Sequence, residues 1–399
     1  MEEVHNSANY AYLPEDLLGK ILENVPSTVD KMNRLFDIQD KPIMEGIRRL
    51  REIGLIIKND STEFSRSLIA VDGGVVLEKM SGTDILLAVA VGVEGLGENT
   101  GSGWPESKNQ YYQWQTVLAH DEANARLCQG VMFLMEMSVL ANADHEIRIM
   151  DGTHFTPILK VNSLLSAKED SAGVQYVTAL ADFLRETYKK IIPDIPDIIQ
   201  SVLQDERIIA NAKYSSSRDV IDAYLSTVGI SIDDKTFFSL SLNEDEFLSP
   251  LTVGQSKEEQ MKVWDDLHIK CNLDIPERNE LNIQLEKVLR FIRTKDIRPG
   301  DKKSNLCFTY YKPYQDGPAY RIEIKKPLAE DIPKLKRYLK SIKQQIVFPE
   351  IREPYPQYLV DLMAKNVAGG LFAIQEAIRL SPNLKLDGSK LNLLFHYRT

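Results

Sequence analysis

The sequence predicts an α/β fold built on a mixed β-sheet, and three observations carry that reading. Apolar, β-branched runs suited to buried strands stand at residues 67–77, 84–93 and 146–150. Stretches of helical periodicity lie between and after them, and strand and helix alternate towards the end of the chain. An aspartate followed by glycine sits at the end of two apolar runs, at Asp72-Gly73 and Asp151-Gly152.

In chain order, residues 14–58 read as two or three helices forming a small N-terminal appendage. Leu17, Leu18, Ile21 and Leu22 share one face, and Ile43, Ile47, Leu50, Ile53 and Leu55 share another. The two strands 67–77 and 84–93 follow. The glycine-rich stretch 95–104 contains no Gly-Lys-Ser/Thr, and Thr100 stands where a Gly-x-Gly-x-x-Gly motif needs its third glycine, so it reads as a connection and not a nucleotide site. A helix over 122–142 leads to the strand 146–150. The helical stretch 180–203 is expected to break at Pro193 and Pro196. Short strands are expected at 207–213 and 237–242, and helices at 257–267 and 280–293. Strands at 306–311 and 319–324 alternate with helices at 331–345 and 357–378. No repeat of fixed period occurs.

Hydrophobic residues make up 43% and charged residues 27% of the 399, as expected of a soluble protein with a sizeable core. The longest apolar run, 85–93, is too short to cross a bilayer, and the first residues lack the basic and apolar regions of a signal peptide. A cytoplasmic location is therefore expected. Cys128, Cys271 and Cys307 fit no zinc or disulfide framework. The net charge of −10 argues against a protein that coats nucleic acid with its whole surface. Yet residues 285–345 hold 16 Lys and Arg against 7 Asp and Glu, so a localised polyanion track remains open.

Taken alone, Asp-Gly marks a hairpin turn, and Asp387-Gly388, in polar surroundings, is expected to be one. Asp72 differs, because the apolar run continues through Gly73 and Gly74 into Val75, Val76 and Leu77. Glu136 lies inside the apolar stripe formed by Cys128, Met132, Met135, Val139 and Leu140. A carboxylate buried there must be protonated, ion-paired or bound to a cation. Three carboxylates delivered by the core, Asp72, Glu136 and Asp151, repel one another until a hard cation relieves them. Such a cation makes phosphodiester chemistry the leading expectation. His154 follows Asp151 by three residues, but no second histidine stands at ligand spacing. Lys213, beside hydroxyls and Arg218, suits either a phosphate contact or a surface turn. In 333–346 an apolar stripe of Leu335, Leu339, Ile342 and Ile346 is matched by a basic one of Lys334, Arg337, Lys340 and Lys343, which faces DNA, a partner or water.

Ile69-Ala70-Val71-Asp72-Gly73-Gly74, the helical Glu136 and Ile149-Met150-Asp151-Gly152 resemble the ordered acidic motifs of NurA nucleases. The resemblance continues at residues 207–218, at Tyr320-Arg321-Ile322-Glu323 and at Pro354-Tyr355-Pro356, so it spans roughly residues 65–380. It implies an RNase H-like mixed β-sheet core with helical insertions, and a nuclease domain is expected over 63–399 with a helical insertion around 175–300; the N-terminal helical segment over 1–62 lies outside the resemblance. It implies a Mn²⁺- or Mg²⁺-dependent deoxyribonuclease, acting as a 5′–3′ exonuclease, a single-strand endonuclease or both. A homodimer and a HerA-type hexameric ATPase partner are implied as well, in DNA repair or antiviral defence. Asp72, Glu136 and Asp151 match the metal-binding acids, Lys213 a basic residue near the scissile phosphate, and Tyr355 an aromatic near the active site. Arg218, Arg321 and Lys365 are the further DNA contacts expected. The family usually places a histidine on the helix after Tyr-Pro, where this chain has Met363-Ala364-Lys365-Asn366. Either Lys365 replaces it as a phosphate contact or the site is impaired. Two rival readings follow: a catalytically weak subunit that docks on and regulates an ATPase ring, and, less favoured, an RNA-directed or Argonaute-like enzyme, for which no guide-binding module is evident.

Overall fold

The run from Leu68 to Lys79 is a single strand that passes straight through Asp72, Gly73 and Gly74. Its first four residues, Leu68 to Val71, alternate between two buried faces, so helices cover that part of the sheet on both sides. The computed structural model describes residues 14–37, 40–97, 110–166, 169–183, 191–213, 215–252, 271–272, 278–290, 306–347, 351 and 353–390.

The strands are β1 (Ile56–Lys58), β2 (Leu68–Lys79), β3 (Thr83–Glu94), β4 (Tyr111–Ala119), β5 (Ile147–Asp151), β6 (Ile208–Ala212), β7 (Glu246–Leu248), β8 (Leu251–Thr252), β9 (Leu306–Lys312) and β10 (Tyr320–Lys325). They form a ten-stranded sheet in the order β1-β7-β9-β10-β6-β5-β2-β3-β4, with β8 paired to β9. The β2–β5 and β5–β6 pairs are parallel, and the remaining pairs are antiparallel. The helices begin with α1 (Glu15–Glu23), α2 (Val25–Asp37), α3 (Asp40–Glu52), α4 (Ala123–Asn142), α5 (Phe155–Leu165), α6 (Glu169–Asp182) and α7 (Ile191–Gln204). They continue with α8 (Asp219–Tyr224), α9 (Asp234–Ser241), α10 (Arg278–Arg290), α11 (Lys326–Glu330), α12 (Ile332–Gln344) and α13 (Tyr355–Arg379).

One face of the central strands, carrying Ile69, Val71, Met150, Ile208 and Ala210, packs against α4, α5, α6, α7 and α10. The other, carrying Leu68, Ala70, Ile147, Ile149 and Ile209, packs against α12 and α13. A third cluster joins α3, α8 and α9 to β9 through Ile43, Ile47, Leu50, Phe237, Phe238 and Tyr310. The N-terminal segment thus supplies an edge strand, β1, and part of a core, whereas α1 buries no residue.

Several elements differ from the sequence reading. Residues 237–242 are not a strand: α9 starts behind Asp233, whose carboxylate accepts from the Thr236 amide at 2.9 Å. That cap, and the burial of Phe237 and Phe238 in contact with each other, outweigh the β-propensity of the Phe-Phe pair. Helix α7 runs through Pro196 instead of breaking there. Pro193 sits in its first turn, where the missing amide is not needed. Beyond it, Ile195, Ile199, Val202 and Leu203 bury a stripe that outweighs the hydrogen bond lost at Pro196. Asp387 is no hairpin corner, since its carboxylate accepts from the Lys390 amide at 2.9 Å in the manner of a helix cap. Strand β4 and helices α5 and α6 lie where no element was expected. The expected helix 257–267 lies outside the described residues, as do residues 98–104 of the glycine-rich connection. Among the described residues no helix is long and apolar enough to cross a membrane.

Candidate metal centre

Asp72 and Asp151 lie near one another because β2 and β5 are parallel neighbours, with Val71 opposite Met150. Both follow even alternation from the residues that face α13, so their side chains leave the sheet on that side. Two local features shape the strand here. An added Cβ on Gly73 would lie 2.6 Å from the Met132 side chain of α4, and one on Gly74 would lie 2.2 Å from the Ala364 carbonyl oxygen of α13. The glycine pair therefore lets one helix close on each face of β2 immediately beyond Asp72. That contact sets α13, and with it Asp361, over the strand ends. At the end of β5, Gly152 adopts a positive φ of 89°, which turns the chain away after Asp151.

Asp72, Asp151 and Asp361 each bring a carboxylate oxygen into a group lying within 4.8 Å of one another. The Gly73 amide donates to Asp72 Oδ1 at 2.8 Å. Burial, followed by the charge of Asp151, raises the Asp72 pKa to about 7. Glu136 is 1% exposed, and its Oε1 is buried with no hydrogen-bond partner among the described residues. Its pKa is raised well above the usual carboxylate range, first by burial and then by the charges of Asp72 and Asp151. The fourth acid is thus electrically part of the group although it comes from the helix on the other face.

Lys213 extends from the end of β6 into this group. Its ammonium lies 3.4 Å from Asp151, 3.2 Å from Glu353 and 3.6 Å from Asp361. Despite the cost of burial its pKa is raised, because the acids around it favour the charged form. Gln357 donates through Nε2 to Asp151 Oδ1 at 2.7 Å, and Asn211 donates through Nδ2 to Gln357 Oε1 at 2.7 Å. Lys365 reaches Asp361 at 2.7 Å from a side chain that is 73% exposed.

The other expected site residues are placed elsewhere or differently. Tyr355 opens α13, its amide donating to the Gln345 carbonyl at 2.7 Å and its ring lying 6.4 Å from that of Tyr358. Arg218 is turned inward to the carbonyls of Ile230 and Ile232, with Asp222 at 3.3 Å. Arg321 is 6% exposed, pairs with Asp219 at 3.5 Å and Glu323 at 3.4 Å, and lies over the Phe308 ring. Among the described residues, neither arginine pairs with or hydrogen-bonds to the acidic group. His154 is fully buried between Glu323 and Lys325, and burial lowers its pKa to about 4. The sequence reading passed over Asp361, Glu353, Gln357 and Asn211. A signal was present for two of them: Gln357, Asp361 and Lys365 stand four apart, on one face of a helix.

Three carboxylates with a buried fourth, one ammonium and an opening to solvent suit a hard divalent cation with oxygen ligands. The donor set contains no cysteine or histidine, which disfavours zinc. No protein-family model matches the chain, and no curated protein matches it. Among solved structures it is similar to the NurA nuclease from Sulfolobus solfataricus, with 16% identity over 93% of this chain and 100% of that one, at a TM-score of 0.48. A structure of NurA with manganese gives 13% identity, 90% and 99% coverage and a TM-score of 0.48. One of NurA bound to dAMP and manganese gives 11%, 96% and 100%, and 0.47.

Proposed function

We propose that this chain is a metal-dependent deoxyribonuclease that hydrolyses phosphodiester bonds. The observation that carries the reading is the convergence of Asp72, Asp151 and Asp361 beside Glu136, whose buried Oε1 has no hydrogen-bond partner among the described residues. Carboxylates gathered in that way repel one another, and a cation would relieve the repulsion. Asp72, Asp151 and Asp361 would hold Mn²⁺ or Mg²⁺, with Glu136 completing the set. When bound, such an ion neutralises charge on a phosphate and lowers the pKa of water. Glu136, whose pKa burial raises and the neighbouring acids raise further, would be favoured in its ionised form by a positive charge held there. Lys213 is positioned to pair with a phosphate oxygen, and the exposed Lys365 can reach the same strand.

The meander β4-β3-β2 followed by β5 and β6 parallel to β2 supports an RNase H-like description of the core. A homodimer, a HerA-type ATPase partner and a role in DNA end processing or antiviral defence belong to the same proposal, supported by the ordered motifs of the sequence.

The test is cleavage of end-labelled linear and closed circular DNA with Mn²⁺, Mg²⁺ or EDTA. Asp72→Asn and Asp151→Asn are expected to lower the rate by at least about a hundredfold without loss of fold. Full metal-dependent cleavage by both variants, or undiminished cleavage in EDTA, would sink the proposal. A protein that leaves DNA intact even with an ATPase partner would favour the docking-subunit reading.

A further inference from the structure

The bond from Gln357 to Asp151 is the second of two in line, and the line has a direction. A carboxylate can only accept, so the Gln357 amide must turn Nε2 towards Asp151 and Oε1 away from it. Oε1 then needs a donor, and Asn211 supplies Nδ2. Asn211 is the register partner of Asp151 on the adjacent parallel strand, so the two side chains leave the same face of the sheet. Gln357 reaches down between them from α13, one turn before Asp361. Asn211 is 2% exposed and Gln357 1%. The orientation has a cost: Asn211 Oδ1 is left buried with no partner among the described residues. Reversing both amides would satisfy that oxygen but would set Gln357 Oε1 against the Asp151 carboxylate.

We infer that Gln357 and Asn211 are positioning residues, which fix the orientation of the Asp151 carboxylate for a divalent cation by a one-way relay from Asn211 through Gln357. This rests on the metal-site reading above. Oδ1 of Asp151 is tied to Gln357, and Oδ2 is left on the side of Lys213. Neither amide touches the cation; they act through Asp151. An outer partner that orients a ligand ordinarily costs ten- to a hundredfold in metal affinity when removed.

The relay is tested on the full-length protein by calorimetric titration with Mn²⁺ alone, with thermal melts of the metal-free protein and the electron paramagnetic resonance spectrum of bound Mn²⁺. Gln357→Met, which keeps the volume and removes both hydrogen bonds, is expected to weaken Mn²⁺ binding by roughly tenfold or more and to broaden the spectrum. Asn211→Ser is expected to weaken binding less, and to add nothing further once Gln357→Met is present, because Asn211 acts only through Gln357. Wild-type affinity and an unchanged spectrum in either folded variant would overturn the relay, as would losses that multiply independently in the double variant. If Gln357→Met does not fold, Asn211→Ser decides alone by the same readouts. Failure of the wild-type protein to bind Mn²⁺ would instead overturn the metal-site reading on which the relay stands.

Discussion

The fold raises the pKa of both Asp72 and Glu136 above the ordinary carboxylate range, and that makes the metal-free protein sensitive to pH. The Asp72 pKa of about 7 lies above that of the same side chain in an unfolded chain, which is near 4. Between those values the folded state keeps a proton that the unfolded state has released. The contribution of Asp72 to the stability of the metal-free protein therefore falls as pH rises, and its whole penalty is present above about pH 7. Glu136 contributes with the same sign, since its pKa is also raised. Melts in EDTA from pH 5 to pH 8 are expected to fall by a few degrees more for the wild type than for Asp72→Asn or Glu136→Gln. Mn²⁺ should raise the melting temperature more at pH 8 than at pH 5, because protons compete for the same oxygens. A large loss of stability in Glu136→Gln would show instead that Glu136 is half of a structural ion pair. At this scale the sequence was informative where chemistry and position coincide. Asp72, Glu136 and Asp151 stand out because a carboxylate within an apolar run is anomalous. Asp361 shares one face of a helix with the polar Gln357 and Lys365, where an acid is ordinary. Only the path of α13 across the sheet gives it a role.

Among the elements, the lesson lies in contacts between segments distant in sequence. The central strands were legible because a strand buried on both faces is a continuous apolar run. The strand expected at 237–242 failed because capping by Asp233 and burial of Phe237 and Phe238 decide that segment, and both depend on tertiary structure. Gly74 illustrates the same point. In sequence the apolar run suggests only that the strand continues through Gly73 and Gly74, whereas in the fold Gly74 is where α13 touches β2. A methyl group there would meet the Ala364 backbone oxygen at 2.2 Å, and a backbone atom cannot step aside without moving its helix. Gly74→Ala is thus expected to cost about 1–3 kcal/mol and to displace Asp361 and Gln357, weakening Mn²⁺ binding as well. Gly19→Ala serves as the control, since an added Cβ there meets nothing within 4 Å and lies in the exposed helix α1. It should be neutral or slightly stabilising. Equal melting temperatures and Mn²⁺ affinities for Gly74→Ala and the wild type would refute the close approach of α13.

For the molecule as a whole, the question is where a chain of net charge −10 could hold a polyanion. The local excess of lysine and arginine in 285–345 suggests a basic track, but the described part of it is largely spent inside the fold. Lys312, Arg321, Lys325 and Lys343 are all less than 9% exposed. On α12, Lys334 pairs with Glu206 at 2.6 Å, Arg337 pairs with Glu146, and Lys343 pairs with Glu244 and Asp245 at 2.7 and 2.8 Å. The helix is stitched to the acidic body by these pairs, so three of the four cations of its basic stripe, Lys334, Arg337 and Lys343, are matched by carboxylates. A cation already paired releases few counterions when DNA arrives, and so adds little to the salt dependence of binding. Lys365 differs in exposure: it too pairs with one carboxylate, Asp361, but 73% of its side chain is in water. Binding of a short single-stranded DNA, measured against salt concentration in EDTA so that no cleavage occurs, separates the two regions. Lys365→Ala is expected to reduce the salt slope by about one unit. Lys334→Gln and Arg337→Gln should leave the slope unchanged and shift stability by no more than about 1 kcal/mol each. A slope that falls with the α12 variants and not with Lys365→Ala would move the DNA track from the mouth of the acidic group to the α12 surface, and the phosphate would then approach from the opposite end of the sheet-covering layer.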